Sequence, residues 1–406
     1  MRRVIGWRWA VVAVLAGVVI VAAALWWQGR PERYLAQAEA ALREDHPDSA
    51  LEWLAVPEAA PATRERALLL RTRVAVERAN LPAAVRALNQ VNPDGPLGAD
   101  CAFWRGRTLY AAGQTLRATH WFNEALKRRP DLPDTYRWLA AAAYDQGNRE
   151  TAVQALETVT RLEPRDARAW RTLGLIFKES VEYERARAAF EKSVGIDGSL
   201  PEVRLELAET LLKLADLAGV ERELAACQGR VPEGRHAEVR AECCRLRGDQ
   251  AGFRSAVEAG LAAAPENPGL LLHRAQIELV DGHLAEAINW LDRAVVADPY
   301  RPAALYLRGV TLQRLDRTRE AQRDLARASK LNKGLAEMSS LNEQAEHAPH
   351  DADVRYRLGR LCVVLGKPEL AASWYRAALS CDPNHAEARV GLNALGPPDR
   401  VGGLRP

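Results

Sequence analysis

The most apolar stretch of the chain lies near its start, where residues 9–27 read WAVVAVLAGVVIVAAALWW and contain no charged side chain. A helix of this length, at about 1.5 Å per residue, measures roughly the 30 Å of a bilayer core. Trp9 at one end and Trp26 and Trp27 at the other lie where aromatic residues gather at membrane interfaces. The pattern predicts a transmembrane helix over 9–27 after a short tail over 1–8.

Two other interpretations of this segment stay open, namely a buried helix of a soluble domain and a cleaved signal peptide. Arg2 and Arg3 suit the positive start of a signal peptide, and Ala22–Leu25 contains small residues near a cleavage point. However, the apolar core of a signal peptide usually spans about 7 to 15 residues, and this run is longer and ends in bulky Trp26. We therefore expect the helix to be retained as an anchor.

Arginines flank the predicted anchor unevenly. Three precede it and two follow it closely, namely Arg2, Arg3, Arg8, Arg30 and Arg33. Because positively charged flanks tend to stay in the cytoplasm, this excess favours an N-terminus inside the cell. The expected location is a single-pass membrane protein whose main body is extracytoplasmic.

After Pro31 the informative pattern is a repeat. Residues that end helices recur at steps close to 34 residues or its multiples, at Pro130, Pro164, Pro232, Pro265, Pro299 and Pro383, with Gly198 and Lys333 at two of the remaining steps. Proline cannot continue a helix, so each step closes one pair of helices. A fixed period of this size predicts an array of helical hairpins that bury their apolar faces against one another.

The fullest copy lies between Asp166 and Gly198. It contains, in order, Trp170, Leu173, Gly174, Phe177, Ala186 and Phe190. This order resembles the tetratricopeptide repeat signature, W-x2-L-G-x2-Y followed by A-x3-F and a closing Pro, with Phe177 in place of Tyr and Gly198 in place of Pro. The resemblance implies an all-α fold, an α-solenoid of helical hairpins wound as a right-handed superhelix.

The repeat is clear from about Gly98 to His385 and weaker at both ends, and it indicates nine or ten hairpins. Its phase breaks after Lys333, where 16 additional residues predict one extra helix and a boundary near residue 334. The resulting division is degenerate hairpins over 31–97, a solenoid over 98–333, the extra helix over 334–351, a last hairpin with a capping helix over 352–395, and a disordered tail over 396–406.

Charge and cysteine content narrow the classes of function. The formal net charge is +3 and both signs are interspersed, so the basic stripe needed for binding nucleic acid is absent from the sequence. No CxxC pair occurs, which removes the usual framework for zinc or redox chemistry. We interpret Cys227, Cys244 and Cys362 as small apolar core residues, while a disulfide from Cys227 to Cys243 or Cys244 stays an open alternative.

Motifs for familiar enzyme classes do not occur. The sequence has no glycine-rich phosphate loop, no HExxH zinc pair and no GxSxG nucleophile elbow. We therefore expect no enzyme activity, no catalytic residues, no cofactor, no metal and no small-molecule substrate. One polar cluster is interpreted as a solvated loop and comprises His347, His350, Asp351 and Asp353. A set of carboxylates and arginines at helical spacing is interpreted as an ion-paired surface and comprises Glu206, Glu209, Glu238, Glu242, Arg204, Arg240 and Arg245.

The resemblance implies that the protein binds peptides or partner helices along a concave face lined by the first helix of each hairpin. The register of the repeat places on this face Phe103, Arg107, Tyr110, Arg137, Tyr144, Arg171, Lys178, Leu205, Tyr306, Arg314, Tyr356 and Arg360. Members of the family that clamp a chaperone's C-terminal carboxylate use a Lys and an Asn one turn apart. Arg137 with Ala141, and Arg171 with Leu175, stand at those offsets here, so the clamp is missing.

The expected function is a membrane-anchored scaffold or adaptor for protein partners in a bacterial envelope complex. A chaperone-like assembly factor for envelope or secretion machinery is an alternative, because the same surface would serve transient clients. An enzyme with an unrecognised site is a third.

Overall fold

The computed structural model describes residues 30–348 and 350–396, and their regular secondary structure is entirely α-helical. The helices are α1 (Arg30–Arg43), α2 (Pro47–Ala59), α3 (Arg64–Glu77), α4 (Leu81–Leu88), α5 (Gly98–Ala111), α6 (Thr115–Arg128), α7 (Pro133–Asp145), α8 (Arg149–Leu162), α9 (Ala167–Glu179), α10 (Tyr183–Ile196), α11 (Pro201–Lys213), α12 (Leu217–Cys227), α13 (Glu233–Arg247), α14 (Gln250–Ala263), α15 (Pro268–Val280), α16 (Leu284–Ala297), α17 (Pro302–Arg314), α18 (Thr318–His347), α19 (Ala352–Val364), α20 (Pro368–Cys381) and α21 (Ala386–Ala394).

The predicted anchor over 9–27, the tail over 1–8 and most of the predicted disordered tail lie outside the described residues. Among the helices that are described, none combines the length and apolar content needed to cross a bilayer.

A residue in the left-handed conformation ends each odd-numbered helix from α1 to α19 and begins the turn to its partner. These residues are Asp45, Ala79, Gly113, Gly147, Val181, Ala215, Gly248, Gly282, Asp316 and Gly366. The next N–H then closes the turn by bonding a carbonyl five residues earlier, as Glu182 does to Phe177 at 2.9 Å. The turns recur every 33 or 34 residues up to Asp316, so the described residues contain ten hairpins, within the predicted number.

Small residues set how closely the two helices of a hairpin approach. A Cβ atom added to Gly174 would lie 2.6 Å from the ring of Phe190, and Gly106 and Gly359 meet aromatic rings in the same way. Leu173, next to Gly174 in the sequence, is buried in the same hairpin and is 1% exposed. The hairpin therefore has no room for a side chain larger than hydrogen at position 174. These contacts explain why small residues recur at these positions of the repeat.

The described helices form two compact units that divide between Thr135 and Tyr136. This corrects the boundary expected near residue 334. There α18 continues as one helix of 30 residues, so residues 334–347 extend the second helix of a hairpin instead of forming a separate one. Leu331 and Leu341 lie in the same buried cluster, which explains why the core does not divide at that position.

Within the second unit, the last hairpin contacts the turn between α7 and α8. The side chain of Arg355 is fully buried, and its Nη2 donates to the carbonyl of Gln146, 209 residues earlier, at 2.9 Å. Its Nη1 donates to the carbonyls of Ala348 and Asp351 at 3.2 and 3.0 Å. The second unit therefore doubles back on itself through a buried cation that is held by backbone oxygens.

Candidate functional site

Side chains at fixed offsets on the first helices of the second unit form a repeating set, which we call the first-helix face. In the second unit the offsets are counted from the small residue that each first helix turns toward its partner: Ala140, Gly174, Ala208, Ala241, Ala275, Gly309 and Gly359. A residue belongs to the face if it lies three positions before the small residue, or one, four or five positions after it. All nine residues predicted for partner binding in this unit stand at these offsets.

Three of the predicted residues are already engaged in polar contacts within the repeat array. Arg137 forms an ion pair with Asp166 at 2.6 Å and also pairs with Glu163. The hydroxyl of Tyr144 donates to Glu179, and burial together with this carboxylate raises the pKa of Tyr144. These side chains tie consecutive hairpins together, so their hydrogen-bonding capacity is largely used inside the molecule.

Lys178, the third, belongs to a network that joins α9, α11 and α13. Its Nζ lies 2.5 Å from Glu206, and it also pairs with Glu209. Arg235 binds the same two carboxylates at 2.8 and 2.5 Å. Burial by itself would raise the pKa of Glu206, but the two cations outweigh it and hold the pKa below its ordinary value. Of the expected ion-paired surface, Glu242 does pair with Arg245 on its own helix at 2.6 Å, whereas Glu206 and Glu209 pair with cations of other helices.

Leu205 is not part of a binding surface, and its prediction is wrong. Its side chain is 0% exposed and ranks among the largest fully buried side chains of the protein. The reason is that α11 packs against α9, α10, α12 and α13, so little of its circumference stays open. Arg171, at the same offset on α9, is half-buried.

In the first unit, three predicted residues gather around aromatic rings. Phe103 lies 6.1 Å from Phe122 and 5.2 Å from Trp104, measured between ring centroids. The guanidinium of Arg107 lies over Trp104 at 5.3 Å, and burial lowers the pKa of Arg107 to about 10. Tyr110 is half-buried one turn further on. These three side chains mainly pack against neighbouring rings, so they leave less surface for a partner than their residue types indicate.

The remaining four predicted residues are accessible and lie on α17 and α19. Tyr306 is 58% exposed, and Arg314 and Arg360 are exposed. The guanidinium of Arg360 lies 5.8 Å from the ring of Tyr356, which is half-buried. Tyrosine and arginine are the residue types that most often anchor protein interfaces.

Sequence reasoning missed four accessible apolar side chains on the same face. Three lie five residues after the small residue, and the fourth, Val363, lies four residues after it and is 43% exposed. Val280 is 78% exposed, Leu246 46% and Val364 39%. The repeat register alone would have found them, but the selection of aromatic and arginine residues passed them over. With Tyr306 and Arg314 they make the C-terminal part of the first-helix face apolar and cationic.

Other polar clusters have partners of their own. Asp351 caps α19 by accepting from the N–H of Val354, and Asp353 lies 3.2 Å from His385, so two members of the predicted polar loop have structural partners. All six cysteines carry free thiols; Cys227 and Cys362 are fully buried and Cys244 is half-buried.

One group not singled out from the sequence is Glu278, Asp281 and His283, whose ligand atoms lie within 4.8 Å of one another. Arg274 pairs with Glu278 at 2.6 Å and Arg254 with Asp281 at 2.6 Å. A hydrogen bond to Glu278 raises the pKa of His283. The two arginines already neutralise the carboxylates, so the group is a surface ion-pair cluster.

The repeats can now be compared with known families. A family model described as tetratricopeptide repeat matches residues 69–133, 139–201, 245–302 and 306–386, which make up more than half of the chain. The chain belongs to the tetratricopeptide repeat (TPR) family. TPR arrays are scaffolds for protein–protein interaction, and protein segments are accordingly the class of ligand for this TPR protein.

Individual similarities are partial. The co-chaperone sgt12 of Aspergillus fumigatus, a heat-shock protein cognate (HSC) co-chaperone, is 29% identical over 94 residues, which are 23% of this chain and 28% of the co-chaperone. A TPR protein from Parabacteroides merdae matches 61% of this chain and 98% of its own with 18% identity and a TM-score of 0.45. The C-terminal part of a TPR protein from Cytophaga hutchinsonii matches 59% and 98% with 19% identity and a TM-score of 0.49.

Proposed function

We propose that this TPR protein is a membrane-anchored scaffold that holds a protein partner against the C-terminal part of its first-helix face. The supporting observation is the exposure of Leu246 and Val280 at equivalent positions of successive repeats, followed by exposed Tyr306 on the next first helix. Apolar side chains that align on a folded surface bury area when a partner docks, and about 25 cal/mol is gained for each Å² removed from water. Arg314 and Arg360 add a preference for partners with acidic groups.

Affinity isolation of the full-length protein from detergent extracts tests this proposal. Val280→Asp places a charge in the apolar part of the face, and we expect it to reduce recovery of the partner at least tenfold. Val296→Asp is the matched control, because Val296 is equally exposed, at 79%, but lies on the second helix α16. Equal recovery with both variants would exclude this face as the binding surface.

The membrane anchor and the envelope location are part of the same proposal. They are supported by the uncharged run over 9–27 and by the excess of arginine before it. The retained helix would place the TPR array on the extracytoplasmic side. Alkaline extraction of membranes should leave the protein in the pellet, and reporter fusions at the C-terminus should be active only outside the cytoplasm. A soluble protein shortened at its N-terminus would support signal cleavage instead.

The similarity to the co-chaperone sgt12 favours a second candidate, a chaperone-like assembly factor. Here the same face would bind clients transiently. The carboxylate clamp is still missing, since Ala141, where the clamp would have its Asn, is 2% exposed. Exchange of the bound protein within seconds, and its replacement by several unrelated clients, would separate this function from a permanent scaffold.

A further inference from the structure

A cleft of about 730 Å³ opens within the second unit between α8, the turn from α9 to α10, and the C-terminal half of α18. This volume is within the range of sites that hold a ligand or a short peptide segment. The cleft exists because α18 continues past the length of a repeat, so its extension forms one wall. Most of its lining comes from second helices and turns, and Glu179 is the one lining residue at an offset of the first-helix face, so the cleft is largely a different surface.

Apolar side chains enter the cleft from each of its walls. They are Val153, Ile176, Val181, Leu335 and Met338. Val181 is 66% exposed, and Leu335 is 39% exposed. Val181 is also the left-handed residue of its turn, with φ of 65°, at a position where other hairpins have Gly, Ala or Asp. A β-branched residue is unfavourable in this conformation, so folding does not account for it.

Carboxylates surround these apolar side chains. Five glutamates and two arginines line the cleft. Glu150 and Glu157 lie on α8, Glu179 and Glu182 lie at the turn from α9 to α10, and Glu343 lies on α18. Arg185 is neutralised within the cleft, because it pairs with Glu182 at 2.7 Å and Glu157 at 3.5 Å. In the described part of the chain, neither Glu150 nor Glu343 forms an ion pair.

We propose that this cleft is a second peptide-binding site, which takes a basic, amphipathic segment of a partner protein. Apolar side chains of the segment would contact Val181, Leu335 and Met338, and its Lys or Arg side chains would pair with Glu150 and Glu343. The charge of the lining, negative in excess by three, selects against acidic segments. The first-helix face has the opposite preference, so one TPR array would hold two chemically distinct segments at once.

Fluorescence anisotropy with full-length protein in nanodiscs of neutral lipid tests the site. The probe is a labelled peptide in which two leucines are flanked by lysines, and a peptide with glutamate in place of lysine is its counterpart. Empty nanodiscs give the blank. We expect the basic peptide to bind, the acidic peptide to bind at least tenfold more weakly, and added salt to weaken the basic peptide, because exposed charge pairs are screened.

Two kinds of variant locate the binding. Reversing two charges, with Glu150→Lys and Glu343→Lys together, should weaken the peptide at least tenfold, whereas Glu286→Lys, an exposed glutamate of α16 outside the cleft, should leave it unchanged. Val181→Gly removes an apolar contact and relieves the turn, so it should weaken binding while the thermal midpoint rises. This combination separates a lost contact from a folding defect.

Val280 does not line the cleft, so Val280→Asp should not change peptide binding. The proposal can therefore be tested independently of the partner on the first-helix face. Binding that survives the double charge reversal, or that is equal for the basic and acidic peptides, would overturn it. Binding that appears only after residues 397–406 are removed would also overturn it, since the chain's own tail would then be the occupant.

Discussion

At the scale of single residues, the charged side chains of the repeats serve to join hairpins as much as to meet partners. Glu206 shows this, because Lys178 from the preceding hairpin and Arg235 from the following one both contact its carboxylate. The helical spacing of carboxylates and arginines predicted that ion pairs would form on this part of the surface. It did not predict which side chains would be consumed by them, because that depends on rotamers and on neighbours in other hairpins.

Glu206→Gln should lower the free energy of unfolding by about 2 kcal/mol at neutral pH, since two charge-assisted hydrogen bonds lose their acceptor charge. The pKa of Glu206 in the folded protein is below its ordinary value, so the stabilisation is present above about pH 4.5 and is lost as the pH falls through the folded pKa. Urea denaturation from pH 7 down to pH 3 should show the two proteins converging. A difference that persists unchanged at the acidic end would contradict the assignment.

Val181→Gly should raise the free energy of unfolding by about 1 kcal/mol, because glycine adopts a positive φ without the steric cost that valine incurs. The reverse change at an equivalent turn is the control. Gly248 has φ of 78° and open space around it, so Gly248→Val should destabilise by about 1 kcal/mol through backbone strain alone. Thermal unfolding followed by circular dichroism measures both. A drop in midpoint for Val181→Gly would show that its side chain stabilises the fold.

At the scale of elements, the contact between α19 and the α7–α8 turn cannot be inferred from the repeat pattern. Arg355 satisfies the carbonyls of Gln146, Ala348 and Asp351, and burial lowers the pKa of its guanidinium. A tetratricopeptide hairpin normally needs only its neighbours in sequence. The sequence around Arg355 resembles any other first helix, so no local signal indicates a buried cation.

Arg355→Met should lower the free energy of unfolding by about 3 kcal/mol, because one buried and two partly buried carbonyl groups lose their donor although the volume is nearly kept. Arg357→Met on the same helix removes an exposed arginine and should change stability by less than about 0.5 kcal/mol. Chemical denaturation of both variants gives the comparison. Equal midpoints would mean that water replaces the guanidinium without cost.

At the scale of the whole chain, the repeat is regular in its turns and irregular in one place. From Asp45 to Asp316 the left-handed residues of the turns within hairpins keep their interval, and the next one, Gly366, comes 50 residues later. The additional residues are not an inserted loop. They lengthen α18, bring Leu341 and Ala345 into the core and build a wall of the proposed cleft.

Deletion of residues 334–349 would restore the repeat interval, yet we expect it to destabilise the second unit by about 3 kcal/mol or more, because Leu341 and Ala345 are 1% and 0% exposed. Leu341→Ala should give part of this loss, and Leu335→Ala, at a half-exposed position, should give little. Thermal unfolding distinguishes the cases. A deletion variant as stable as the parent would show that the extension is dispensable for folding.

The sequence by itself determined the helical class and the family, and it limited the number of hairpins to nine or ten. Each of these features is encoded within one repeat, by a turn residue, a closing proline and small residues such as Gly174, and repetition makes a weak local signal specific. Only the tertiary structure decided that Leu205 is core, that α18 runs unbroken, that Arg355 reaches Gln146 and that a cleft forms beside Val181. These depend on side chains that meet across many hairpins, and packing over such distances in sequence leaves no periodic trace in the chain.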